Sequence, residues 1–224
     1  MDNPKPLVVA NLKANKTWDL QAAWLDEVGN SNAARSFTGT VIVCPAHPFL
    51  AACAQKIRAN HLPLLVGTQD ISKFSEGAYT GEFAASQIAD FCQYAVIGHS
   101  ERRRNFGESE DDRAKKVALC KKAGIEPIFC VQDEREKIPK GVVVVAYEPL
   151  FAVGTGNPDS PDNAHSVARR IKEKGPYTVI YGGSVTHAIV ATFLARDIVD
   201  GVLIGVSNSL DPQKFIPIIG NARY

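Results

Sequence analysis

At 224 residues, with 45% hydrophobic and 22% charged side chains, the chain has the composition of a globular protein with one substantial core, which excludes disordered and fibrous classes. Lys and Arg number 25 against 24 Asp and Glu, so the net charge of +1 supplies no long-range field for steering onto nucleic acid or anionic lipid. The five cysteines are odd in number and form no C-x-x-C pair, so free thiols in a reducing compartment are expected, with neither a disulfide framework nor a thiolate metal site. The first apolar run, 7–10, ends on Asn11 and Lys13, and Thr17 precedes a helical pattern over 18–28. A run at 41–44 is followed by helical spacing at 49–57, and a third run covers 64–67. The fourth, 95–98, ends on His99, Ser100 and Glu101, and Ser109 opens a helix over 112–123 that Gly124 should cap in the left-handed conformation. After the fifth run, 127–131, only about ten residues, 132–141, remain before the sixth, so the helix of that unit must be trimmed to about a turn. The sixth run, 142–147, ends on Glu148; helical spacing at 164–174 follows, with Gly175 as its expected cap. Runs at 179–181 and 202–205 flank a helix at 188–194, and Asp211-Pro212 opens the last helix, 212–219.

These runs are continuously apolar and do not alternate, as strands of a parallel sheet covered on both faces should be. Eight strand–helix repeats with no linker or composition shift predict one α/β domain over 1–224, a closed (β/α)8 barrel with a shortened fifth helix. A doubly wound open sheet is the competing architecture. No apolar run approaches the roughly 18 residues of a membrane span, and no signal peptide is visible, so a cytoplasmic chain is expected.

In such a barrel the chemistry sits at the C-terminal ends of the strands. Asn11 and Lys13 lie two positions apart and can face the same side, although a lysine past a strand is commonly a solvated surface group. His99 reads equally well as a hydrogen-bonded structural imidazole or as a catalytic one. Arg102, Arg103 and Arg104 are expected to pair within the chain, beside Glu101, Glu108 and Asp111. Glu148 closes the most apolar strand, and Pro149 after it cannot continue the ladder. A carboxylate partly withdrawn from water has its pKa pushed upward, toward what a general base near neutral pH needs, and no Arg or Lys follows it before Arg169. The small-residue loop 152–156 resembles a lid, and Gly182-Gly183-Ser184 with Gly205 place backbone amides after strands seven and eight, where an anion pocket is built. His47, His61, His165 and His187 show no ligand spacing, so no metal is expected, and no basic stripe supports nucleic-acid binding.

Asn11-x-Lys13, the segment from Gly98 through His99, Ser100 and Glu101 to Arg103, the segment from Ala146 through Glu148 to Gly156, and Tyr181-Gly182-Gly183-Ser184-Val185 closely resemble, in order, the motifs of the triosephosphate isomerase family. The resemblance implies a cofactor-free aldose–ketose isomerase of glycolysis and gluconeogenesis acting on triose phosphates. It implies Glu148 as the base, His99 as a neutral electrophile, Lys13 as the cation and Asn11 as a donor to the oxyanion, with Glu101 near Lys13. It also implies backbone amides of Gly154, Ser184 and Gly205 around the phosphate and a lid over 149–156. Residues 77–82 are similar to the loop by which members reach into a neighbouring subunit, where Thr80 would brace Asn11 and Lys13. A homodimer is the default assembly and a tetramer the alternative. The sequence departs from the family pattern at Val206, which stands in place of a second glycine or marks an inserted residue, and at Phe151, where the lid usually carries Trp. A sugar-phosphate epimerase and a barrel kept only for binding are the other readings.

Overall fold

The computed structural model describes residues 5–223. Eight strands close into one parallel barrel in sequence order: β1 (Leu7–Asn11), β2 (Thr40–Cys44), β3 (Leu65–Thr68), β4 (Tyr94–Ile97), β5 (Glu126–Val131), β6 (Val144–Tyr147), β7 (Thr178–Tyr181) and β8 (Gly201–Ile204). The ring is sealed where β1 pairs with β8, Leu7 opposite Gly201. Closure removes every strand edge and buries both faces, which is why the runs are uninterrupted in hydrophobicity.

Around the ring lie α1 (Trp18–Asn30), α2 (Asn32–Arg35), α3 (Leu50–Ala59), α4 (Ala85–Ile88), α5 (Ser100–Phe106), α6 (Glu110–Ala123), α7 (Pro161–Lys172), α8 (Val190–Leu194), α9 (Val206–Ser209) and α10 (Pro212–Asn221). Two layers of core follow from the period of two along each strand. Leu7, Val9, Ile42, Val96, Ile128, Val144, Ala146, Ile180 and Leu203 fill the inside of the barrel. Their neighbours Val8, Ala10, Val43, Ile97, Phe129, Val145, Val179 and Val202 face the helices.

The helix starts are built by local chemistry. Ser109 and Asp112 form a reciprocal capping box for α6, Gly124 ends that helix at φ 77°, and the Asp211 side chain accepts from Gln213 N–H at the start of α10. Thr17 precedes α1 in extended conformation without a side-chain cap bond. Gly175 departs from its expected role: α7 ends at Lys172 with Glu173 still right-handed, and Gly175 does not adopt positive φ. What it provides is room, because a Cβ there would lie 3.0 Å from the Tyr177 ring.

The fifth unit is shortened further than a one-turn helix. Residues 132–143 contain turns and no helix. Ten or so residues interrupted by Pro139 and Gly141 do not nucleate a helix, and their first part is committed to other partners, since Glu136 accepts from Gln132 N–H at 2.7 Å and bonds Arg103 and Arg113.

Candidate active site

The inward period of the strands decides which side chains reach the mouth of the barrel. On β6, Val144 and Ala146 point inward, so Glu148, two further on, does too. On β1, Leu7 and Val9 are followed by Asn11 on the same face. On β7, Ile180 is followed by Gly182, and here the missing side chain is the point: a Cβ would lie 2.8 Å from Glu148 Cγ. His99 breaks the alternation of β4 because Gly98, at φ 78°, turns the chain before it.

One pocket is lined by Asn11, Lys13, His99, Glu148, Val153, Gly154, Gly182 to Val185, Leu203 and 205–208. The structure thus brings together Asn11, Lys13, His99, Glu148, Gly154, Ser184, Gly205 and Val206, with Glu101 attached through Lys13.

Glu148 is 3% exposed, its Oε1 stands 3.3 Å from His99 Nε2, and its Oε2 has no hydrogen-bond partner among the described residues. A buried carboxylate oxygen left unpaired costs stability, and such groups are kept where they do chemistry. Beneath it sits Cys130, whose thiol is pushed well above its ordinary pKa, by burial first and then by the Glu148 carboxylate. The thiol is therefore a neutral neighbour, and Glu148 has no cationic one within its own contacts.

His99 is fixed in one tautomer. Glu101 N–H donates to Nδ1 at 3.2 Å, so Nδ1 carries the lone pair and the neutral ring keeps its proton on Nε2, facing Glu148 and the pocket.

Lys13 stands on strained backbone, at φ 51°. Three contacts hold it there. Its N–H donates to Asn11 Oδ1 at 3.1 Å, its carbonyl accepts from Gln69 Nε2 at 2.9 Å, and its ammonium donates to Glu101 Oε1 at 2.5 Å. With Oδ1 engaged, Asn11 keeps its amide N–H group for the pocket. Burial alone would raise the Glu101 pKa, but the hydrogen bond and charge of Lys13, helped by His99 and Arg104, outweigh it and hold the carboxyl below its ordinary value.

The anion end is backbone. Gly205 caps α9, and in the first turn of a helix the N–H groups have no acceptor within the helix. Val206 opens this turn without positive φ, so a Cβ is tolerated and its amide is presented as a glycine's would be. Ser184 sits at φ 48°, and its hydroxyl donates to Ala152 O at 2.7 Å while accepting from Gly156 N–H at 3.1 Å, which pins the covering segment over the pocket. Phe151, at the outer side of that segment, is 60% exposed.

The arginine cluster pairs within the chain, but not with the carboxylates nearest in sequence. Arg102 Nε lies 3.0 Å from Asp70, and Arg103 bonds Glu136 at 2.8 Å as well as the carbonyls of Gly98 and Cys130. Glu108 pairs instead with Lys116, which also holds Asp70. Gln69, Cys130, Asp70 and Glu136 have no sequence signal as site residues, since each is defined only by a partner far away in the chain.

The triosephosphate isomerase family model matches residues 6–222. The chain belongs to the triosephosphate isomerase family. It is 34% identical to the triosephosphate isomerase of Alcanivorax borkumensis over 249 residues, covering 96% of this chain and 98% of that one. It is 33% identical to the Shewanella loihica triosephosphate isomerase, with 96% of both chains covered. The crystal structure of the Bartonella henselae triosephosphate isomerase superposes with a TM-score of 0.80 over 96% of this chain and 97% of that one; at 24% identity this likeness is one of fold. The single-domain (β/α)8 barrel of this isomerase family is thereby the fold of the chain.

Proposed function

We propose that Glu148 moves a proton between C1 and C2 of dihydroxyacetone phosphate and D-glyceraldehyde 3-phosphate, through an enediolate, in the triose-phosphate step shared by glycolysis and gluconeogenesis. The observation that carries this reading is the buried, unpartnered Oε2 of Glu148, 4% exposed as a side chain, beside a His99 whose proton is on Nε2. Taking a carbon-bound proton leaves negative charge on two adjacent oxygens, and fixed donors in a water-poor site stabilise that charge far better than solvent does. The His99 Nε2–H and the Asn11 amide are those donors, and the Lys13 ammonium offsets the charge. The phosphate does not react. Held by amides of Gly154, Ser184, Gly205 and Val206, it contributes binding energy that seats the lid and desolvates the base. No cofactor enters this scheme.

A coupled assay of triose phosphate interconversion tests it. Glu148→Gln should lower kcat by about 10²- to 10⁴-fold, the usual worth of a positioned base, with KM changed little. Wild-type turnover in that variant would overturn the assignment.

The assembly we infer is a homodimer. A second cleft, lined by Lys13, Gln69, Glu101, Arg102 and Phe106, opens beside the site, and Phe106 is 66% and Tyr79 44% exposed. Loop 77–82 of the partner subunit would fill the cleft and set Thr80 of the partner subunit against Asn11 and Lys13. Sedimentation equilibrium should give twice the 24.2 kDa chain mass; a monomer would refute the assembly, and a tetramer would show a further contact. Free, buried thiols favour a reducing compartment, so the location we infer is cytoplasmic. No helix among the described residues is long and apolar enough to cross a membrane.

A further inference from the structure

The segment over the pocket is held at its tip by Ser184, and at its C-terminal end by a denser cluster around Asp159. The Tyr147 hydroxyl donates to Asp159 Oδ2 at 3.1 Å, Asn163 Nδ2 donates to the same oxygen at 2.7 Å, and Ser160 N–H donates to Oδ1 at 2.7 Å. The Asp159 N–H in turn donates to the Tyr181 hydroxyl at 2.8 Å. Asp159 is only 8% exposed, Tyr147 4% and Tyr181 1%, and no Lys or Arg pairs with Asp159 among the described residues. A carboxylate so withdrawn from water, held by neutral donors alone, contributes little net stability; its worth lies in the geometry it fixes.

That geometry joins the lid to the two strands that matter most. Tyr147 is the residue before Glu148 on β6, and Tyr181 precedes Gly182, whose bare backbone makes room for Glu148. Asn163 lies in the first turn of α7, onto which the lid runs. One side chain and its own amide therefore tie the end of the lid to β6, to β7 and to the helix that follows.

We propose that Asp159 is a positioning residue that latches the C-terminal end of the lid to Tyr147 and Tyr181, so that the seated lid and the placed base are one mechanical unit. The inference rests on reading 149–156 as the lid and Glu148 as the base. With the latch broken, the lid leaves its seat while the enediolate is present. The enediolate electron pair then re-forms the C1 carbonyl and moves the double bond to C2=C3. The C3–O bond breaks, and inorganic phosphate departs as the leaving group.

The test compares Asp159→Ala, Tyr147→Phe and the double variant for kcat/KM, for inorganic phosphate released per turnover, and for melting temperature. Each single variant should lower kcat/KM about tenfold, the scale of a lost hydrogen bond to a charged group. Each should also raise phosphate release per turnover severalfold, and the double variant should match the worse single variant within about twofold, because both break the same bond. Tyr147→Phe keeps the aromatic packing against the helices and so folds even where Asp159→Ala does not. Wild-type kcat/KM and phosphate release in Tyr147→Phe, or a lowered melting temperature with no rise in phosphate release, would overturn the latch. Glu148→Gln separates the two readings: if it is inactive while the latch variants behave as wild type, only the latch fails, whereas an active Glu148→Gln removes the lid-and-base reading beneath it.

Discussion

Gly182 is defined by what it lacks. Its φ is not in the left-handed region, so alanine is not strained there, yet the added Cβ would lie 2.8 Å from Glu148 Cγ and 3.2 Å from Oε1. Gly182→Ala should therefore push the base and leave the fold, lowering kcat by about 10²-fold, the cost of displacing a catalytic group by about an ångström, while the melting temperature stays near wild type. Equal kcat with a lowered melting temperature would mean that the contact is structural. Asn11, Lys13, His99 and Glu148 are legible in the sequence for one reason: each is a polar residue at the end of an apolar run. Asp159 and Gln69 are not, because their significance comes from partners on other strands. Asp159 stands in the sequence as an ordinary loop aspartate before Ser160-Pro161, and nothing local predicts that Tyr147 and Tyr181 converge on it.

Among the elements, α5 shows how a short helix is held by its neighbours. Seven residues are too few to be stable alone, and the segment has no periodicity to announce it. Arg103 ties it down, bonding the Gly98 and Cys130 carbonyls and the Glu136 carboxylate, which Arg113 of α6 also holds at 2.8 Å. Burial pushes the Glu136 pKa up, but the bonds from Arg103 and Arg113 prevail and hold it below the usual value. The connection that lost its helix has thus become a strap that joins β5 to the helix behind His99. Glu136→Gln should cost about 2 kcal/mol, the scale of a charge-assisted bond in a half-buried site, read as a lower urea midpoint at unchanged m-value. An unaltered midpoint would assign the hold on α5 to packing alone. The same contrast explains which elements were legible. Strands two layers deep announce themselves by composition, and α1, α3, α6, α7 and α10 by their apolar spacing and starts. The one- or two-turn α2, α4, α5 and α9 depend on tertiary contacts that no local window contains.

At the scale of the whole molecule, acid response separates groups by where their titration begins. His47 lies under the third loop, its ring 4.5 Å from Phe83, with Nε2 buried and unpartnered among the described residues. Burial lowers its pKa to about 4, and the charges of Arg102 and Lys116, themselves bound to Asp70, add to the effect. In the unfolded chain the same imidazole takes a proton near pH 6.5, so between 6.5 and about 4 the unfolded state holds more protons than the folded one. Stability is then undiminished above pH 6.5 and falls progressively as the pH drops toward 4. The carboxylates held low, Glu101, Glu136 and Asp112, lose their contribution only when the pH falls below their unfolded values, near 4.5 for glutamate and 3.8 for aspartate. The early part of the acid decline therefore belongs to His47 among these groups. Melting temperature measured from pH 7.5 downward should begin to fall near 6.5, and His47→Gln, which does not titrate, should hold it flat to about pH 5 before the carboxylates take over. A variant whose decline still begins near 6.5 would place the proton uptake elsewhere and free His47 of that role.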